Sequence, residues 1–69
     1  MSDTVLDFIV YVIEEYKLKY DMSGKKVLEL FDKYQVVEYI KQCYEALHTF
    51  GTREIIWNID EYIKNYKET

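Results

Sequence analysis

Catalysis in this chain would first be sought at Cys43 and His48, its only cysteine and only histidine, five residues apart in CYEALHTFGT. A thiol and an imidazole within hydrogen-bond reach make a nucleophile and its base. At about 100° per residue, however, five positions turn a helix by about 140° and send the two side chains to different faces. Cys43 shares the apolar stripe of Ile40 and Leu47, where a free cysteine serves as a small hydrophobe, and no cationic cluster stands near it to favour a thiolate. His48 sits one turn beyond Tyr44, so its ring is expected to pack on that tyrosine while a ring nitrogen caps a late carbonyl. Tyr44, His48, Thr49 and Gly51 then read together as a helix-end motif. The acidic pairs Glu14-Glu15 and Asp60-Glu61 diverge by about 100° on a helix and are expected on solvated faces. No phosphate loop, nucleophile elbow or zinc spacing occurs in the chain. The residues therefore assign no catalytic, cofactor-binding or metal-binding position, and the expected protein is not an enzyme.

The elements that position these residues follow from apolar spacing. The 69 residues suffice for a single small domain, and 49% hydrophobic content with eight tyrosines, three phenylalanines and one tryptophan is enough to fold it. Val5, Leu6, Ile9, Val12, Ile13, Tyr16 and Tyr20 recur at three and four residues and predict a first helix over 4–19. Thr4 with Asp7 resembles a capping box. Ser23 fits an N-cap for a second helix over 24–34. A third helix is predicted over 36–49, with Val36, Tyr39, Ile40, Cys43, Tyr44 and Leu47 inward and Gly51 as its left-handed stop. Ile55, Ile56, Ile59, Tyr62, Ile63 and Tyr66 predict a fourth over 53–67, against a rival strand at 54–59 that has no partner strand. The expectation is an all-α bundle of four helices, with the first and third as the main packing pair.

Charge and surface narrow the function class. The formal net charge is −4 and Arg53 is the only arginine, a poor endowment for gripping phosphates. A helix-turn-helix within Ser23 to Tyr44 would offer only Lys41, against Glu38 and Glu45, for reading DNA. An acidic mimic of a nucleic-acid backbone is the other alternative, and the interspersed Lys17, Lys25, Lys33, Lys41 and Lys64 count against it. The N-terminal apolar run, Phe8 to Ile13, is too short to span a bilayer and follows acids rather than lysines, so neither membrane anchor nor signal peptide is expected. With no disulfide framework to expect, a cytoplasmic setting fits. Phe8, Tyr11 and Leu18 on the first helix and Trp57 on the fourth lie off the apolar stripes, and Trp and Tyr are favoured at interface hot spots. These four residues predict a surface for a protein partner, with a homodimer among the arrangements it allows.

The run FIVYVIEEY, MSGKKVLELFDKY, VVEYIKQCYEALHTFGT and NIDEYIKN resembles a family of short bacterial proteins, domain of unknown function 3791. The resemblance covers nearly the whole chain, and its most specific pieces are CYEALHTFG at Cys43 to Gly51 and IDEYI at Ile59 to Ile63. Family members often carry glycine before the third helix, where this chain has Gln35. The resemblance implies a small cytoplasmic helical protein without assigned activity, sometimes encoded beside a larger toxin of ADP-ribosyltransferase type. It implies an antitoxin-like or accessory binding role and carries no catalytic residue to this chain.

Overall fold

The computed structural model describes residues 3–68, and among these it is all helix and turn. The elements are α1 (Thr4–Tyr20), α2 (Gly24–Lys33), α3 (Val36–Gln42), α4 (Tyr44–Leu47) and α5 (Thr52–Glu68). The residues of the rival strand form the first turns of α5, where Ile55, Ile56, Ile59 and Ile63 bury one face at helical spacing.

Asp3, not the Thr4 and Asp7 pair, caps α1. Its backbone is extended and its Oδ1 accepts from the N–H groups of Val5 and Leu6 at 3.0 and 3.1 Å, leaving Thr4 as the first helical residue. A carboxylate there also faces the positive end of the helix dipole. Asp21 ends α1 in the left-handed conformation, φ 51°, and Ser23 Oγ accepts from Lys26 N–H to open α2. Gln35 is the second left-handed residue, at φ 57° and ψ 37°, and turns the chain from α2 into α3.

The expected third helix is two helices. Cys43, at φ −104° and ψ 12°, closes α3 by donating its N–H to Tyr39 O. Its carbonyl opens α4 by accepting from Ala46 and Leu47. No glycine or proline marks the break, so packing sets it: Leu47 goes into the core while Tyr44 meets Phe8 of α1 edge to face at 5.4 Å. Nor is Gly51 a left-handed stop, since no glycine has positive φ. Its carbonyl instead accepts from Ile55 N–H and starts α5, while Thr49 and Phe50 bond back to Ala46 and Leu47 through ordinary turns.

Val27, Phe31, Val36, Ile40 and Ile59 are fully buried, with Val12 and Leu47 nearly so. Each such side chain contributes about 1.5–3 kcal/mol relative to exposure. Leu6, expected in the inward stripe, is exposed, because the buried face of α1 is centred on Ile9, Val12 and Tyr16. α1 packs chiefly on α2 and α5 and less on α3, which corrects the expected first-with-third pairing. The reason is length: the break at Cys43 leaves α3 only seven residues, whereas α5 has 17.

Candidate functional site

α1 and α5 lie side by side and run parallel, as three tyrosine contacts show. Tyr11 Oη meets Thr52 Oγ1 near the start of α5, and further along Tyr16 and Tyr20 both reach Asp60. Between the two helices runs an open groove of about 520 Å³. Glu15, Leu18 and Lys19 on α1 are spaced i, i+3, i+4, and Arg53, Trp57 and Asp60 on α5 are spaced i, i+4, i+7, so each set shares one helix face and lines the groove.

The groove joins residues that the sequence leaves far apart. Leu18 is 77% exposed and Trp57 62%, and both line it. Tyr11, also exposed, is tied to the groove through Thr52. Phe8 does not line the groove: it is half-buried, its ring set against Tyr44 at 5.4 Å and against Tyr11 at 6.1 Å. Leu6 and Val10 are exposed as well, about 80–140° around α1 from Tyr11 and Leu18, and do not line the groove.

At its far end the groove is held by a latch. Asp60 Oδ1 accepts from Tyr16 Oη at 2.7 Å and its Oδ2 accepts from Tyr20 Oη. Burial, then the bond to Asp60, pushes the Tyr16 hydroxyl far above its ordinary range. Tyr20 is pushed up to about 12, chiefly by the bond it donates to the same carboxylate. Asp60 is thus half-buried and structural rather than part of a solvated acidic pair. The sequence held one signal of this, tyrosines at i and i+4 in the α1 stripe, Tyr16 buried and Tyr20 at its exposed end, and a tyrosine whose ring is buried needs an acceptor for its hydroxyl.

His48 and Cys43 do not meet in a site. The His48 ring stacks on Tyr44, with centroids 4.6 Å apart and planes 11° from parallel, and Nδ1 donates to Tyr44 O at 2.7 Å. That bond places the proton on Nδ1. Thr49 Oγ1 donates to Ala46 O, and the pair closes the end of α4. Cys43 is half-buried against the core. Among the described residues no three His, Cys, Asp or Glu side chains are grouped to hold a metal ion. In α3, the helix a DNA-reading arrangement would use, Lys41 Nζ lies 3.8 Å from Glu38. No helix among the described residues is long and apolar enough to cross a membrane.

A second tyrosine cluster, missed in the sequence, joins α5 to the α2–α3 turn. Tyr62 Oη donates to Tyr34 O at 2.7 Å and lies 3.3 Å from Gln35 O. Its ring stacks on Tyr39 at 4.3 Å. Lys33 and Lys67 lie over the ring of Tyr34 at 5.3 and 5.5 Å.

A family model described as protein of unknown function (DUF3791) matches residues 7–66. No curated protein and no solved structure matches the chain.

Proposed function

The chain belongs to the DUF3791 family of proteins of unknown function, and from that premise and the shape of the groove we propose that it is a non-enzymatic protein-interaction module, antitoxin-like in role. One observation carries this reading: Leu18 and Trp57, the two most exposed large apolar side chains among the described residues, line one groove between two long helices. Exposed apolar residues scattered singly need no explanation, but an indole and a leucine converging on a concave strip have the make-up of a binding hot spot. A net charge of −4 favours encounter with a basic partner.

The resemblance described above supplies the partner class, a toxin of ADP-ribosyltransferase type encoded beside some members. The test is calorimetric titration of the purified chain against such a neighbouring protein. Binding is expected, and Leu18→Ala with Trp57→Ala should weaken it by roughly ten- to a hundredfold while the helical circular dichroism signal stays unchanged. Equal affinity for the folded double variant would remove the groove from the role. Absence of binding would remove the antitoxin-like reading.

A further inference from the structure

We propose that the α1–α5 groove is occupied by a second copy of this chain, the two copies related by a two-fold axis perpendicular to the helices, so that α1 lies antiparallel on its counterpart and α5 on its own. The inference rests on the groove being a protein-binding surface and names its occupant.

The protein is acidic overall, yet the groove carries Glu15 and Asp60 against Lys19 and Arg53, so its formal charge cancels and the net −4 lies elsewhere. Two copies of an acidic chain repel except through a balanced patch. A basic foreign partner is steered towards the molecule by its overall charge, but inside a neutral strip it finds no excess of acid to pair with.

The order of the signs goes further. Along α1 the acid precedes the base, Glu15 then Lys19; along α5 the base precedes the acid, Arg53 then Asp60. A two-fold rotation reverses each helix, which brings Glu15 to Lys19 and Arg53 to Asp60 of the other copy, twice each. An isologous interface requires this self-complementarity. Leu18 and Trp57 fall near the middle of their respective charge pairs, so both come close to the axis and form an apolar centre with charged flanks.

The charges are also available. Among the described residues the ion pairs within the chain are Lys17 with Glu14 and Lys41 with Glu38; Glu15, Lys19 and Arg53 make none. Asp60 accepts two tyrosine hydroxyls, and a carboxylate has lone pairs left for a guanidinium. Helix dipoles select the antiparallel register over its parallel rival. α1 and α5 already point the same way, and a parallel pairing would align four dipoles side by side, whereas the antiparallel one opposes them.

Two charge-reversed variants test this on the chain alone. Glu15→Lys gives a groove whose α1 bank is wholly basic, and Lys19→Glu gives one that is wholly acidic. In the proposed register each variant repels its own copy and attracts the other. Sedimentation equilibrium should find the native chain dimeric, each variant weakened by roughly tenfold or more, and the equimolar mixture dimeric again. Circular dichroism confirms that each variant is folded, and Trp57→Ala, which leaves the charges intact, should also weaken the native dimer. A native chain that stays monomeric at all concentrations overturns the proposal; if it still binds a toxin through Leu18 and Trp57, the interaction-module reading stands without it. A native dimer with no recovery in the mixture overturns the antiparallel register. A dimer indifferent to all three substitutions places the contact elsewhere and overturns the proposal.

Discussion

Gln35 holds a left-handed backbone at φ 57°, a conformation that costs a residue with a Cβ roughly 1–2 kcal/mol and glycine almost none. Its side chain recovers part of that cost by donating from Nε2 to Asp32 O at 3.0 Å. Glycine would hold the same turn geometry without that cost. Gln35→Gly should therefore leave the fold intact and raise stability by up to about 1 kcal/mol, the relief of strain being offset by a more flexible unfolded chain. Thermal denaturation would register a rise of up to roughly 4–8 °C, and a fall would show that the side-chain bond outweighs the strain. Asp60 governs the opposite response. The folded values of Tyr16 and Tyr20 lie above the 10.0 of a free tyrosine, so the native state holds these protons more tightly than the unfolded chain. That contribution is complete below about pH 10 and is lost as pH rises through about 12. Alkaline unfolding should set in across this window, and Asp60→Ala should move the tyrosinate absorbance midpoint of Tyr20 down towards 10 and cost about 1–3 kcal/mol of stability. An unmoved midpoint would mean that the latch is not closed in solution.

Helix boundaries were the most legible level. Apolar recurrence located the starts and ends of α1, α2 and α5 to within a residue or so. It failed at Cys43 because that break carries no glycine or proline and is set by where Leu47 and Tyr44 pack, information spread over other helices. It misjudged Gly51 because a glycine after a helix has two uses, ending one element in the left-handed region or simply opening the next. Which helices touch was also hidden, since the tyrosines that join α1 to α5 and α5 to the α2–α3 turn bond through their far tips across 27 to 44 residues of sequence. The latter junction can be tested directly. Tyr62→Phe keeps the ring stacked on Tyr39 and removes the bond to Tyr34 O, so it should cost about 0.5–1.5 kcal/mol in urea denaturation. No loss would mean that stacking alone seats α5.

As a whole the molecule is small, with dimensions of 36 by 24 by 20 Å, and a chain of this length hides only about 60% of its unfolded surface when it folds alone. Association that covers Leu18 and Trp57 would therefore add to stability, and a dimer's melting temperature depends on concentration. The native melting temperature should climb with protein concentration, and that of Trp57→Ala should climb less; equal, flat curves would describe a self-sufficient monomer. The candidate surface was partly legible, because Tyr11, Leu18 and Trp57 fall off the apolar stripes of their own helices. That Leu18 and Trp57 share a groove was not, because the contacts that set α1 beside α5, Tyr11 with Thr52 and Tyr16 and Tyr20 with Asp60, join side chains 40 to 44 residues apart in sequence. Trp57 has a further consequence. It is the only tryptophan in the chain, and its indole stands in water on the bank of the groove. Its fluorescence therefore reports on that one place without a label, so any molecule settling between α1 and α5, whether kin or stranger, should announce itself as a shift in the colour of emitted light.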